Sequence, residues 1–294
     1  MENTVNPPPP ADAGQAQLRH YRARWHLSEA GPAFRTHSSW LQSVRYQGAP
    51  AMLKIAMSAE ECRGSHLMQW WDGDGAMAVL CLEREALLLE RSTRGRTLHD
   101  IVRQGDDDHA SRILCQVAAR LHRPRLAPVP ALVPLARWFE ALTHAETPHT
   151  GMLGAAAGIA TRLLAAPQEI CVLHGDLHHE NILDAGQRGF LAIDPKGLLG
   201  ERGFDFANVF CNPDFATATA PGRLARQVAV ISQAAALEPA RLLAWILSWA
   251  ALSAVWHLED GSHPDTALAI AQIALVELRR ANAPQWLLNP AQHL

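Results

Sequence analysis

Two periodicities divide the chain. Over residues 40–46 apolar and polar positions partly alternate (Trp40, Leu41, Gln42, Ser43, Val44, Arg45, Tyr46), the period-two signature of a strand. Gln47-Gly48-Ala49-Pro50 supplies turn chemistry and residues 51–56 resume an apolar run, which predicts a hairpin. Residues 58–71 change to helical spacing. Gly64, Leu67, Met68 and Trp71 share one face, and Ser58 with Glu61 three positions on has the form of a capping box. Asp72-Gly73-Asp74-Gly75 ends that helix, and residues 77–82 and 86–89 read as two more strands.

After Arg91 the pattern is mainly helical. Arg94-Gly95-Arg96 reads as a loop, and helices are predicted over residues 97–104, 109–122, 130–145, 154–166, 204–210, 223–236, 239–258 and 265–282. Short apolar runs at 170–173, 182–183 and 190–193 interrupt them as one buried strand and a small hairpin. A first helix is expected over residues 18–25. Residues 1–15, rich in Pro, Ala and Gly, are expected to form a disordered tail. Strands collected early and helices late imply an α+β, bilobal chain rather than a doubly wound sheet. The expected division gives residues 16–92 to a strand-rich lobe and residues 93–294 to a helical one.

Composition narrows the function classes. The 294 residues are 48% apolar and 19% charged, within the ordinary globular range. A net charge of −3 argues against a generic nucleic-acid partner. Five widely spaced cysteines without a CxxC predict neither a disulfide framework nor a cysteine zinc site, and fit a reducing, cytoplasmic compartment. No basic segment followed by an apolar run stands near Met1, so no signal peptide is expected. Residues 242–258 are the most apolar segment. They are short for a membrane span, so a buried helix is expected, with Trp245, Trp249 and Trp256 as a packing stripe. Two of the 26 basic residues, Lys54 and Lys196, are lysine and the other 24 are arginine. Against that background a lysine is a candidate for a place that needs a compact ammonium.

The candidate chemistry lies in residues 172–183 and 191–196. His174-Gly175-Asp176 follows a strand, Asn181 stands five residues beyond Asp176, and Asp194 closes the next hairpin eighteen residues beyond it. Phosphoryl transfer needs a carboxylate for the attacking hydroxyl, oxygen ligands for Mg²⁺ and a cation for the phosphates. Asp176 can serve as the base, and Asn181 and Asp194 as hard metal ligands. Lys54, in mid-strand, can supply the ammonium, with Glu61, or Glu60 beside it, as its carboxylate partner. A zinc reading of His174 and His178 with Asp176 would need a helix there, which Gly175 and the following strand disfavour. Asp214, Glu201 and the pair Glu259-Asp260 are weaker candidates for contacts to a cationic sugar.

His174-Gly175-Asp176-Leu177-His178, Asn181 and Ala192-Ile193-Asp194-Pro195-Lys196-Gly197 together resemble the aminoglycoside/hydroxyurea antibiotic resistance kinase family. That family is a branch of the aminoglycoside phosphotransferases with a protein-kinase-like fold, and it includes streptomycin 6-phosphotransferases. Residues 87–91 and 252–256 resemble its lobe-joining segment and a late helix, and the likeness covers about residues 30–260. The resemblance implies an ATP- and Mg²⁺-dependent kinase acting on a small hydroxylated acceptor, with streptomycin-like aminoglycosides and hydroxyurea as the substrate classes. It makes Asp176 the base, Asn181 and Asp194 the magnesium ligands and Lys54 the phosphate lysine. The backbone of Leu89, Glu90 and Arg91 would meet adenine, and Asp205 would brace the catalytic loop. The loop over residues 35–40 departs from a glycine-rich pattern, so phosphate contacts there fall to Ser38, Ser39 or backbone N–H groups. A metabolic small-molecule kinase, or a nucleotide-binding module without turnover, are the alternative readings. Neither nucleic acid nor membrane is expected as a partner.

Overall fold

The computed structural model describes residues 11–93, 96–145 and 149–281, and the following concerns those residues. Helix α1 (Ala11–Arg24) starts inside the stretch expected to be disordered. Residues 11–15 belong to it because Ala13, Gln15, Ala16 and Gln17 favour helix and Leu18 and Tyr21 bury against the sheet beyond. The remainder of the expected tail, residues 1–10, lies outside the described residues, as do Arg94 and Gly95 of the expected loop.

An antiparallel five-stranded sheet follows, built from β1 (Ser28–Arg35), β2 (Ser39–Tyr46), β3 (Ala49–Ala56), β4 (Val79–Glu83) and β5 (Ala86–Glu90) in the order β1-β2-β3-β5-β4. Helix α2 (Ala59–Trp71) intervenes between β3 and β4. Strand β1 escapes sequence reading because Gly31-Pro32 looks like a turn. It lies at the sheet edge, its register with β2 breaks between Glu29 and Ala33, and an edge strand tolerates proline. The period of two assigns each face of β3. Ala51, Leu53 and Ile55 pack with Leu18, Tyr21 and Val44 under α1. Met52 and Lys54 therefore face the other side, toward the cleft. Leu87, Leu88 and Leu89 read as a continuous apolar run because both faces of β5 are covered.

The remaining elements are α3 (Leu98–Arg103), α4 (Asp107–Leu121), β6 (Val133–Pro134), α5 (Leu135–Trp138), α6 (Glu140–Thr143), α7 (Gly151–Ala165), β7 (Ile170–Leu173), β8 (Ile182–Asp184), β9 (Phe190–Ala192), β10 (Leu198–Glu201), α8 (Phe215–Ala218), α9 (Arg223–Ala235), α10 (Pro239–Glu259) and α11 (Asp265–Arg280). The helix expected over residues 130–145 is broken, since Pro134 pairs in the short β6 and α5 and α6 are single turns. Residues 204–210 form, on either side of Ala207, parts of two 3₁₀ segments, Arg202–Phe206 and Asn208–Cys211. Strand β10 was also not expected. It joins β6 in parallel and β7 antiparallel. Helix α10 passes through the core. Among the described residues it is the one helix long and apolar enough to cross a membrane, and 72% of its most apolar window is buried within the fold, as a core helix would be.

Helix α2 meets the segment after β9 at Gly64. A Cβ built there would lie 2.2 Å from the Pro195 carbonyl oxygen, so only glycine allows this approach. Pro195 stands between Asp194 and Lys196, and Gly64 thus sets the distance from α2 to both. Gly64→Ala is expected to destabilise the protein by about 1–3 kcal/mol, measurable by urea denaturation. A variant as stable as wild type would show that the two backbones can separate freely.

Candidate active site

Glu61 sits on the first turn of α2, and its side chain is 2% exposed. The Ser58 hydroxyl accepts the Glu61 N–H at 3.2 Å, so half of the expected capping box forms. The other half is given up, because the Glu61 carboxylate turns to the Lys54 ammonium instead. Lys54 also pairs with Asp194, two residues past β9. Burial alone would raise the Asp194 carboxyl, but the Lys54 charge and hydrogen bond, with Lys196 beyond, hold it below the usual carboxylate range. Asp194 has φ +62°, the left-handed region that aspartate tolerates better than most residues.

The hydroxyls of Ser38 and Ser39 donate to Glu61, at 2.8 and 3.2 Å. Both serines, expected as phosphate contacts, thus direct their hydroxyls to Glu61. Ser39 is 1% exposed and lies off the cavity, and although Ser38 lines it, its hydroxyl is committed to the carboxylate.

The loop after β7 is held by a second buried carboxylate. Asp205 accepts the His174 N–H at 2.8 Å and the Gly175 N–H at 2.7 Å, and His122 Nε2 lies 2.8 Å from its Oδ2. Burial pushes the Asp205 carboxyl up, yet the His122 and Gly175 contacts outweigh it and leave the group below its ordinary value. His174 is fully buried, which lowers its imidazole pKa. Its Nε2 donates to the Ile193 carbonyl at 2.8 Å, while Nδ1 accepts the Asp176 N–H at 3.2 Å. This neutral ring therefore ties the backbone of Asp176 to the strand that presents Asp194, and it stacks on Trp71 at 6.0 Å.

Asp176 is presented to the cleft with both carboxylate oxygens oriented. Asn208 Nδ2 donates to Oδ1 at 2.7 Å, and Asn181 Nδ2 donates to the Asp176 carbonyl at 2.9 Å and to Oδ2 at 3.3 Å. The Asn208 carbonyl in turn accepts Trp249 Nε1–H at 3.0 Å, which fixes which end of the amide faces the aspartate. Lys196 Nζ lies 3.9 Å from Asp176 Oδ2, 3.3 Å from Glu60 and 3.8 Å from Glu61. Burial would lower the pKa of this ammonium, but the surrounding carboxylates hold it above its ordinary value. Lys54, Glu61, Asp176, Asn181 and Asp194 thus converge, with Glu60 paired to Lys196 rather than Lys54.

Beside this cluster opens a cavity of about 360 Å³ with apolar walls from Leu41, Met52, Met77, Leu183 and Ile193. Leu89, Glu90 and Arg91 line its edge. The Glu90 side chain points away, accepting the Ala78 N–H at 2.7 Å and pairing with Arg188, and its own N–H donates to the Ala78 carbonyl at 3.0 Å. The Arg91 N–H bonds the Pro50 carbonyl at 3.2 Å. Asn181 and Asp194 fit a magnesium site by donor chemistry. They are backbone neighbours through Ile193 N–H to Asn181 O at 2.9 Å. One carboxylate and one amide oxygen suit an ion that completes its shell with phosphates and water.

Other candidates have structural roles. Glu201 is buried and paired with Arg241 and Trp245, and Asp214 caps α8 through the Thr217 N–H at 2.9 Å. Sequence reasoning missed Asn208 and the polar role of Trp249, since neither stands in a spaced motif.

Residues 24–261 match the sequence profile of the aminoglycoside/hydroxyurea antibiotic resistance kinase family. The chain is 49% identical over 252 residues to a streptomycin 3''-kinase of Klebsiella pneumoniae, a match covering 84% of this chain and 94% of that one. It is 31% identical over 270 residues to a streptomycin 6-kinase of Streptomyces griseus, covering 86% and 85%. Among solved structures it is similar to a thermostable mutant of an aminoglycoside phosphotransferase in ternary complex with AMP-PNP and hygromycin B. That likeness has a TM-score of 0.62 at 15% identity, covers 90% of this chain and 99% of the other, and shows the shared fold.

The depressed Asp205 carboxyl makes a pH prediction. Its ionised form stabilises the fold fully above the ordinary value near 3.8, and that contribution fades as pH falls through the lower folded value. Asp205→Asn is expected to cost about 3 kcal/mol at neutral pH, with the gap to wild type narrowing below about pH 4. Urea denaturation of both proteins at neutral and acid pH measures this. A gap independent of pH would remove the charge from the argument.

Proposed function

The chain belongs to the aminoglycoside/hydroxyurea antibiotic resistance kinase family, and from that membership we propose that it transfers the γ-phosphoryl group of ATP to the 3''-hydroxyl of streptomycin. It is a kinase with the protein-kinase-like fold, as its relatives are. The observation that carries the reading is the meeting of Lys54, Glu61, Asp194, Asn181 and Asp176 beside one apolar cavity. The choice of the 3''-hydroxyl rests on the relative at 49% identity.

In this reading adenine enters the cavity against the backbone of residues 89–91, and residues 16–92 form the nucleotide lobe. Lys54, steadied by Glu61, neutralises the non-transferred phosphates. Asn181 and Asp194 would hold Mg²⁺, which supplies further neutralisation of phosphate charge. Asp176 accepts the proton of the acceptor hydroxyl as its oxygen bonds to the γ-phosphorus and the bond from that phosphorus to the β–γ bridging oxygen breaks, releasing ADP. Asn208 and Asn181 fix the aspartate so that little orientation is lost on the way to the transition state. The acceptor binds against residues 93–294. Five free thiols and ATP as donor support a cytoplasmic setting.

Purified protein with ATP, Mg²⁺ and streptomycin is expected to yield ADP and a monophosphorylated product whose phosphate NMR locates at the 3'' position. Asp176→Ala is expected to lower kcat by about 10²–10⁴-fold while nucleotide binding persists. Phosphate at the 6 position, or turnover with hydroxyurea alone, would replace the acceptor assignment. Undiminished turnover by Asp176→Ala would sink the base assignment.

A further inference from the structure

We infer that Lys196 is a second catalytic cation, which binds the transferring γ-phosphoryl group while Lys54 serves the phosphates left behind. The inference rests on the kinase reading above and adds to it a residue with no part in the chemistry so far. Between Asp176 and Asn181 the chain reads Leu177, His178, His179 and Glu180, with neither lysine nor arginine. The His178 imidazole of that loop lies 3.9 Å from Asp176 Oδ1, so a permanently charged ammonium or guanidinium beside Asp176 comes from outside the loop.

Lys196 is placed to supply it. Its ammonium is 3.9 Å from Asp176 Oδ2, so an acceptor oxygen bonded to Asp176 and the phosphorus it attacks lie within reach of the same side chain. Glu61 separates the two lysines. One oxygen holds Lys54 and the other lies 3.8 Å from Lys196, with Lys54 on the Asp194 side and Lys196 on the Asp176 side. The contacts of Lys196 to its three carboxylates, at 3.3, 3.8 and 3.9 Å, are longer than the 2.7–3.2 Å of ordinary N–H···O bonds. Its donors are drawn toward these groups without being saturated by them, and an incoming phosphoryl oxygen can take them.

The root of the side chain is fixed as well. Lys196 N–H donates to the His174 carbonyl at 2.7 Å, and Arg63 Nε donates to the Lys196 carbonyl at 3.1 Å. The same residue is thus tied to the base loop on one side and to α2 on the other. Composition agrees, since both lysines of a chain with 24 arginines converge on this cluster. A compact ammonium fits among several carboxylates where a planar guanidinium would have to displace them. As the acceptor oxygen bonds to phosphorus and the bond to the ADP oxygen breaks, Lys196 keeps its proton and follows the charge of the equatorial oxygens, while the hydroxyl proton goes to Asp176.

The test separates the γ-phosphate from the rest of the nucleotide. Calorimetry gives the affinities of wild type, K196M and K196Q for ADP and for AMP-PNP, and steady-state assays give kcat and KM. Expected for K196M and K196Q are a kcat lower by about 10²–10³-fold, ADP affinity within about threefold of wild type, and AMP-PNP affinity weakened about tenfold. K196R should restore part of the AMP-PNP preference through its charge, but less of kcat. Equal weakening of ADP and AMP-PNP, or a kcat within about threefold of wild type, overturns the assignment and leaves the kinase reading intact. Wild-type protein that binds no nucleotide overturns both.

Discussion

The buried carboxylate of Glu61 is the constraint from which the strand-rich side of the cleft is built. An ionised group with a side chain 2% exposed is tolerated only when its charge is matched and its oxygens are occupied. Lys54 from β3 supplies the charge, and Ser38 from the β1–β2 turn and Ser39 at the start of β2 occupy the oxygens. Satisfying one carboxylate thus fixes a strand, a turn and the start of α2 relative to one another. It also explains why the turn needs no glycine pattern, since its shape is set by hydroxyls anchored from below. Lys54 extends the chain of contacts to Asp194 and so carries the constraint across the cleft.

A second buried carboxylate does the same for the loop that carries Asp176. Asp205 gathers two consecutive backbone amides and His122, and His174 converts that anchorage into a tie between Asp176 and the strand leading to Asp194. Trp249 continues the network through Asn208 to Asp176, so the core helix α10 contributes to orienting that carboxylate. Neither network ends on a flexible surface group. Each passes through a packed ring, Trp71 on His174 or Phe204 on Trp249, whose position the surrounding core decides. Side chains held in this way lose little freedom on reaching a single fixed geometry.

The legible part of the molecule was the part in which chemistry and local period coincide. Asp176, Asn181 and Asp194 occur within 19 consecutive positions, and the strand period alone puts Lys54 on the face opposite Leu53 and Ile55. Glu61 was found because the first turn after a strand-borne lysine is where a partner must stand. What escaped depends on contacts distant in sequence. Nothing local reveals that a serine supports a buried glutamate, so the contacts of Ser38 and Ser39 to Glu61 were not legible. Asn208 lies 32 residues from its aspartate, and β10 is stabilised by β6 and β7 rather than by its own Leu-Leu-Gly-Glu. The tail was misjudged at residues 11–15 for a related reason, because its helix is stabilised by a sheet that follows it in sequence.

Charge balance in the cleft bears on the acceptor. Asp176, Asp194, Glu60 and Glu61 face Lys54 and Lys196, so four carboxylates meet two ammonium groups. A unit charge about 4 Å from another at an effective dielectric near 20 interacts by about 4 kcal/mol, so this surplus is not negligible to a charged ligand. A triphosphate entering with divalent counterions does not reverse its sign. The acceptor oxygen must nevertheless come within bonding distance of Asp176. A cationic aminoglycoside gains from that field along its whole approach, whereas a neutral acceptor such as hydroxyurea gains only the local hydrogen bond. The same field is indifferent to which hydroxyl is presented. In the proposed reaction, regiochemistry would therefore be decided by the shape of the surface that docks the acceptor, while the charge of the cleft would favour a cationic acceptor over a neutral one.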